Sequence, residues 1–176
     1  MKKTLLPLTL ALLIVFSGFI SLKPIDLKLT DAYSIRVSGK KIDGFFHKLK
    51  GKISFDENNL SASQFNLEVE VSSLTTGNSL KSWHAKKAKW LDAKNYPTIT
   101  FNSSKIQKTA KGYVVNGKLK LRGIEKDVAI PFSYSGNIFF GNFYVKRSDY
   151  KVGSLKGMSK MVSDSLRIDF TIPVVK

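Results

Sequence analysis

Few side chains in this sequence are suited to metal binding or nucleophilic chemistry. The 176 residues contain two histidines, His47 and His84, and no cysteine. A structural zinc site uses four ligands drawn mainly from cysteine and histidine, so these residues are too few to form one. The absence of cysteine also excludes disulfides and a catalytic thiolate. We therefore predict no metal site and no cofactor, and we expect His84 to have a structural role.

Carboxylates are the other groups that could do chemistry. Asp92 could face Asp149 or Asp164, and two neighbouring carboxyl groups can act as general acid and general base. The alternative, which we favour, is that these aspartates form ion pairs with cations such as Lys81 or Arg147. The sequence has no nucleophile elbow, no glycine-rich phosphate loop and no HExxH motif. We therefore predict that the protein is not an enzyme.

The chain is strongly basic, with a formal net charge of +16 from 29 lysines and arginines against 13 aspartates and glutamates. A charge of this size attracts anionic partners, including acidic polymers and anionic membrane surfaces. Because the basic residues are spread along the whole chain, the alternative is a solvated basic surface that keeps the protein soluble. The charge pattern does not indicate an oligomeric state.

The elements that must position these residues are strands. Apolar and polar residues alternate in the segments 65–72, 98–102, 113–122, 128–134 and 165–172. Such segments have one apolar and one polar face, which is typical of antiparallel strands that cover a single core. Turn-forming residues separate them at short intervals. The pattern predicts an all-β fold, either an up-and-down barrel or a sandwich.

One segment, residues 77–101, departs from this alternation. Trp83 and Trp90 belong to a set of apolar residues at helical spacing, which predicts a short helical insert near residues 82–91. Pro97 then prevents the helix from continuing and favours extended geometry before it. Two tryptophans on one short helix could plug one end of a barrel.

The N-terminal residues have the organisation of a secretory signal. Lys2 and Lys3 precede an apolar run at residues 5–16, followed by small residues. We assign residues 1–21 to a signal peptide, with an uncleaved N-terminal anchor as the alternative. Residues 22–30 are then a linker or an irregular first strand, and residues 31–176 form the barrel domain.

Six short motifs occur in order along the chain. They are Gly51-x-Ile53-x-Phe55-Asp56, the insert with Asn78, Lys81, His84 and Asp92, Tyr96-Pro97 with Phe101, Gly117-x-Leu119-x-Leu121, Arg147-Ser148-Asp149-Tyr150 with Gly153, and Val162-Ser163-Asp164. Together they resemble the YceI-like family of secreted bacterial lipid-binding barrels. The chain differs from the family pattern at Lys81, where arginine is common, and at Ser82.

The resemblance implies a closed antiparallel up-and-down barrel with a lipocalin-like shape, and a location in the bacterial periplasm. It also implies that the interior holds a long-chain lipid or isoprenoid amphiphile. The candidate lipid-binding residues are the inward side chains of the alternating strands: Phe65, Leu67, Val69, Ile99, Phe101, Val115, Leu119, Ile130, Phe132, Ile168 and Phe170. The candidates for the barrel mouth are Trp83, His84, Trp90, Tyr96 and Arg147.

The same apolar side chains could instead fill the barrel completely. The alternative function is then a charge-driven binder of anionic surfaces or polymers with a filled, ligand-free barrel. We expect no nucleic-acid partner, because export would separate the protein from nucleic acid. The aromatic residues of the strands also lie mostly at inward positions, which disfavours an exposed stacking surface for bases.

Overall fold

The computed structural model describes residues 25–176, whose regular structure is mostly β-strand. The predicted signal peptide or anchor, residues 1–21, lies outside this range. The strands are β1 (Ile25–Leu29), β2 (Ser34–Gly39), β3 (Ile42–Phe46), β4 (Leu49–Phe55), β5 (Gln64–Glu70), β6 (Leu74–Thr76), β7 (Thr98–Thr109), β8 (Gly112–Leu121), β9 (Ile124–Ser135), β10 (Ile138–Lys146) and β11 (Ser165–Val175). Within residues 25–176, no helix is long and apolar enough to cross a membrane.

The strands form one antiparallel sheet that closes on itself. β1 pairs with β4 on one side and with β11 on the other, which joins the first described strand to the last. The successive pairs β1 with β2, β3 with β4, and β5 with β6 each make one long, interrupted strand. The closed barrel therefore has eight strand positions in up-and-down order. The prediction of an all-β, closed antiparallel up-and-down barrel is confirmed.

The structure corrects the linker assignment for Ile25–Leu29, whereas residues 22–24 of the proposed linker lie outside the described range. Ile25 pairs with Phe55 of β4, and Leu29 pairs with Val174 of β11. Leu27 is buried between exposed neighbours, as expected for a strand with one inward face. Ile25–Leu29 is thus a strand of the barrel, which was the second option that the sequence left open. One buried residue in five gives too little alternation to identify a strand.

Alternation along the strands explains why the sheet has a dry inside and a wet outside. In β8, Val115, Leu119 and Leu121 are buried, whereas Lys118 and Lys120 between them are exposed. Successive side chains of a strand point to opposite faces, so every second residue reaches the interior. Closing the sheet turns all of these apolar faces toward one another.

One end of the barrel interior is filled by aromatic rings, which we call the aromatic floor. Its centre is Phe55, whose ring centroid lies 5.5 Å from Tyr113 and 5.0 Å from Tyr134, both edge-on. Edge-on pairs stabilise a core by roughly 0.5–1.5 kcal/mol each beyond the area they bury. The six rings of the floor are Phe55, Phe65, Tyr113, Phe132, Tyr134 and Phe139.

Tyr113 makes the stability of the folded barrel depend on pH in the alkaline range. Its hydroxyl donates a hydrogen bond of 2.6 Å to Glu57, and this bond, with burial and the carboxylate charge, raises the pKa of Tyr113 to about 12. An unfolded tyrosine has a pKa of about 10. Between these values the folded protein holds a proton that the unfolded chain has lost, so stability falls as pH rises from about 10 to about 12. Urea unfolding across this range should show a smaller alkaline loss for Tyr113→Phe than for the wild type. Equal losses in the two proteins would contradict this account.

The barrel wall is incomplete between β9 and β10. Residues 133–135 of β9 pair with residues 138–140 of β10, and the described chain contains no further pairing between these strands. The last pair is Ser133 with Phe140, and Pro131, two residues further along β9, has no N–H to donate. Gly141 approaches it closely, since a Cβ at Gly141 would lie 2.5 Å from the Pro131 carbonyl oxygen. Residues 124–132 of β9 and residues 141–146 of β10 do not pair with each other, and we call the boundary between them the seam.

The helical insert begins and ends earlier than residues 82–91. Helix α1 is Ser79–Ala85, and the Asn78 side chain caps it by accepting a hydrogen bond of 3.0 Å from the Lys81 amide. After Ala85 the chain continues in turns, with hydrogen bonds such as that from the Ala93 amide to the Lys86 carbonyl. Trp90 and Leu91 therefore lie in these turns and not on a continued helix, although their spacing in the sequence resembles that of a helix.

Candidate functional site

Beyond the aromatic floor, the barrel interior contains a cavity of about 230 Å³. A water molecule occupies about 30 Å³ in the liquid, so this space is much larger than a packing defect. The cavity is lined by inward side chains of the strands and by residues of the two long connections at the far end. Among the lining residues, Arg147 alone carries a charge. The interior is therefore an apolar chamber closed at one end by rings.

The structure places all eleven candidate lipid-binding residues on the wall of this cavity. They are Phe65, Leu67, Val69, Ile99, Phe101, Val115, Leu119, Ile130, Phe132, Ile168 and Phe170. What the wall binds stays a prediction.

Strand β10 supplies lining residues that the sequence pattern did not reveal. Phe143 and Val145 face the cavity. On the same strand, Tyr144 lies between these two residues and Phe140 precedes them, and both are large apolar residues that face solvent. These exposed rings hide the alternation that identified the other strands, although Gly141, Phe143 and Val145 keep the period of two that could have revealed it.

Two long connections cover the end of the barrel opposite the floor, and we call residues 77–97 and 147–164 together the cap. Arg122, in the turn between β8 and β9, joins them by donating to the Lys151 carbonyl and, at 2.7 Å, to the Ala88 carbonyl. The Gly153 amide also donates to the Lys89 carbonyl at 2.9 Å. These bonds make the two connections one continuous roof over the cavity.

Arg147 holds the second connection together from inside. Its side chain is 2% exposed. Nε donates to the Ser163 carbonyl at 3.0 Å, Nη1 to Val152 at 2.9 Å, and Nη2 to Ser159 at 2.9 Å. Longer bonds reach the Ser154 and Val162 carbonyls, and within residues 25–176 the guanidinium forms no ion pair. Carbonyl dipoles, rather than a carboxylate, therefore solvate this buried charge.

The five candidate mouth residues do not form one cluster. Trp90 and Arg147 line the cavity, and the guanidinium carbon of Arg147 lies 5.5 Å from the centroid of the Trp90 ring. Trp83 and His84 are exposed on α1, where their rings contact each other. Tyr96 is also exposed. The prediction that both tryptophans plug the barrel is therefore wrong for Trp83, because the helix ends before Trp90 and the two rings face different surroundings.

Two cap glycines offer a matched test of the Trp90–Arg147 packing. Gly153 has φ +68°, and a Cβ there would lie 2.7 Å from the Trp90 ring and 3.0 Å from Arg147 Nη1. Gly157 has a similar φ of +57° but no atom within 4 Å of its Cβ position. Both alanine variants incur left-handed strain of roughly 1–2 kcal/mol, and Gly153→Ala should lose about 1–3 kcal/mol more through overpacking.

Chemical unfolding of the two variants measures that difference directly. Because the backbone strain is common to both, the excess loss for Gly153→Ala isolates contact with Trp90 and Arg147. If the two variants lose the same stability, Gly153 does not pack against the roof as described.

The acidic residues of the cap have local partners and do not form the predicted pairs. Asp92 accepts hydrogen bonds from the Asn95 side chain, and Asp149 lies 4.0 Å from Lys126. Asp164 accepts two bonds from Ser148. Burial tends to raise the pKa of Asp164, but these bonds and the nearby Arg147 charge outweigh it and lower the pKa. Within residues 25–176, no group of three or more histidine or acidic side chains could hold a metal ion.

Comparison with known proteins identifies the family. The YceI-like domain matches residues 26–174. The chain belongs to the YceI-like family. A UPF0312 protein of Vibrio campbellii is 30% identical to this YceI-like chain over 139 residues, which cover 73% of each protein. A UPF0312 protein of Yersinia enterocolitica is 31% identical over 93 residues, 53% of the chain and 48% of that relative. The chain thus spans about half the length of several relatives that it matches.

Solved structures of other proteins have the same architecture. The crystal structure of BcnA from Burkholderia cenocepacia superposes with a TM-score of 0.76 at 28% identity, covering 85% of this chain and 100% of BcnA. A polyisoprenoid binding domain from Saccharophagus degradans has a TM-score of 0.61 at 15% identity, covering 85% of this chain and 97% of that domain. At that identity the likeness establishes a common fold alone.

Proposed function

We propose that this YceI-like protein is a secreted, periplasmic binding protein that holds the apolar tail of a long-chain lipid, such as an isoprenoid amphiphile, in its barrel. The observation that carries the proposal is the apolar cavity between the aromatic floor and the cap. The membership of the family supports it, as does the polyisoprenoid binding of a structural neighbour. The leader-like sequence at residues 1–21 supports export.

The chemistry of the wall favours a tail over a polar ligand. Each 100 Å² of tail surface removed from water contributes about 2.5 kcal/mol, before the cost of ordering the tail. A polar ligand would lose its hydrogen bonds to water inside the chamber. Arg147 offers it no replacement, because its N–H groups already donate to backbone carbonyls. Binding in the chamber thus depends on apolar surface and fit, and the polar head group remains outside the apolar lining.

The aromatic floor limits how far a tail can extend. Phe65, Phe132 and Phe139 belong both to the floor and to the cavity wall. Their rings contact one another, so a tail in the chamber would end where it meets these rings. The chamber is therefore suited to one tail whose length matches the distance from cap to floor, and affinity should level off for longer chains.

The rival function is charge-driven binding of anionic surfaces or polymers by a protein with no cargo. The net charge of +16 supports electrostatic attraction to an anionic membrane surface, and we include such a surface among the proposed partners. Charge alone would not require an apolar chamber, so the cavity favours the lipid-binding proposal over a filled barrel. The rival predicts binding that weakens with salt and no cargo, whereas tail binding is insensitive to salt.

Native mass spectrometry of the protein purified from its host tests the proposal. We expect a fraction of the protein to carry an additional mass that denaturation releases and lipid extraction recovers. A protein purified without cargo should take up an added long-chain isoprenoid alcohol but not a short polar analogue. Absence of both a co-purified lipid and uptake of the added alcohol would reject the function.

A further inference from the structure

The cap presents large apolar side chains to solvent. Leu80 is 62% exposed, Leu155 53% and Trp83 52%, and Tyr96 and Met161 are also exposed. These residues come from both connections of the cap, which hydrogen bonds join into one roof. Exposed side chains of this size on a single end of a protein are typical of an interaction surface.

The same cap is strongly basic. Eight lysines lie on it, seven exposed and one half-buried, whereas Asp149 is its one exposed acidic residue among the described residues. The lysines are Lys81, Lys86, Lys87, Lys89, Lys94, Lys151, Lys156 and Lys160. Across residues 25–176 none of these eight side chains takes part in an ion pair. Lys87 lies over the Trp83 ring at 4.1 Å, but no carboxylate of the described residues neutralises any of the eight charges.

The connections at the opposite end of the barrel carry fewer residues of both kinds. Its connections, residues 56–63, 110–111 and 136–137, carry two acidic residues, Asp56 and Glu57, and one basic residue, Lys111. Within the described chain, none of the large exposed apolar residues lies in these connections, although Ile25 and Val175 are exposed on the strands at this end. Lys108 and Lys176 are exposed basic residues there. The cap therefore carries the larger basic and apolar surface of the two ends.

We propose that the cap is the surface by which the protein docks on an anionic lipid bilayer. The proposal rests on the anionic membrane partner of the proposed function and specifies which face meets it. Each lysine near an anionic bilayer is attracted by the negative surface potential. Leucine, tryptophan, tyrosine and methionine enter the interface between head groups and acyl chains. A bilayer is the partner that takes both kinds of side chain at once, whereas an acidic polymer would leave Leu80 and Leu155 in water.

The position of the cap connects docking with the cavity. Trp90 and Arg147 belong to the cap and also line the cavity, so the membrane-facing surface and the end of the chamber are separated by one layer of residues. Docking at the cap brings the outer surface of this layer to the lipid that supplies a tail. Docking at the aromatic floor would place six packed rings between the bilayer and the chamber.

Vesicle co-sedimentation of the purified full chain tests the docking face. The wild type should bind phosphatidylcholine vesicles that contain phosphatidylglycerol, and bind phosphatidylcholine alone much more weakly. The cap variant Lys89→Glu/Lys94→Glu/Lys156→Glu/Lys160→Glu should lose at least about 30-fold in partitioning. The matched control Lys105→Glu/Lys108→Glu/Lys111→Glu/Lys176→Glu changes the net charge equally with exposed lysines away from the cap, and should lose about threefold or less.

A second pair of variants tests the apolar part of the surface. Leu80→Ser/Leu155→Ser should weaken binding to the anionic vesicles about tenfold, whereas Ile25→Ser/Val175→Ser, at the floor end, should leave it unchanged. Equal losses for the two charge variants, or no wild-type binding to anionic vesicles, would overturn the docking proposal. Native mass spectrometry of the same proteins separates the two hypotheses. Cargo that persists without vesicle binding rejects docking alone, and vesicle binding without cargo rejects the tail-binding function alone.

Discussion

Tryptophans placed at Val69 and Ile99 should empty the barrel of lipid without unfolding it. The two residues pair across β5 and β7, line the cavity and are half-buried. Two indole rings at these positions would occupy space that the proposed tail requires. We expect co-purified lipid to fall below a tenth of the wild-type amount, because a tail excluded from the chamber loses most of its buried apolar surface. Native mass spectrometry measures the loss.

The matched control adds the same two side chains to the outside of the wall. Lys50→Trp/Lys120→Trp changes exposed residues on β4 and β8, the strands that flank β5 and β7. This variant should keep its cargo. Both double variants should show the circular dichroism of the wild type and cooperative unfolding. Full retention of cargo by Val69→Trp/Ile99→Trp, in a folded protein, would place the lipid elsewhere than in the barrel.

Replacing Arg147 with methionine should produce the largest loss of stability of any single change that we consider. The guanidinium donates to five backbone carbonyls, and these acceptors become unsatisfied when it is removed. A buried acceptor left unsatisfied typically costs about 1–3 kcal/mol, so losing the shared donor of five carbonyls should cost roughly 3–5 kcal/mol in total. For a protein of this size, that lowers Tm by roughly 10 °C. Thermal unfolding followed by circular dichroism measures the shift.

Two further variants separate the geometry of Arg147 from its charge. Arg147→Lys keeps the charge but offers three donors on one nitrogen, so it should recover only part of the lost stability. Arg167→Met removes an exposed arginine that pairs with Asp169, and it should cost about 1 kcal/mol or less. Limited proteolysis should cut residues 147–164 faster in Arg147→Met than in either control. A methionine variant as stable as the wild type would mean that this connection does not depend on Arg147.

Alternation in the sequence was sufficient to predict several strands of the barrel wall and the inward face of each. Residues such as Phe65, Leu67 and Val69 identify both a strand and its inward face, because a period of two fixes the side on which each side chain lies. Closing the sheet then brings all inward faces to one interior. The eleven predicted residues consequently lie on one wall even though no distance between them was known. Whether that interior is filled or hollow depends on packing details that alternation does not contain.

The cap was predictable only in part, since its structure depends on backbone contacts. Arg147 could be identified by its motif, but its acceptors are carbonyl groups, which every residue carries. Trp83 and Trp90 have the same residue type and suitable spacing for one helix, yet turns after Ala85 send them to different environments. Residue type and spacing therefore identified which residues lie at this end of the barrel. The long-range hydrogen bonds of the backbone determine where each of these side chains points.

The seam between β9 and β10 has a consequence for how easily the proposed cargo could enter and leave a closed barrel. Separating two paired strands breaks their ladder of hydrogen bonds, which couples opening to unfolding. Along the seam there is no such ladder to break, and the ion pair between Lys126 and Asp149 is the one salt bridge joining β9 to the chain just after β10 within the described residues. Widening there costs mainly the apolar burial of side chains such as Val128 and Phe143. We therefore expect the wall to open more easily along the seam than between two fully paired strands.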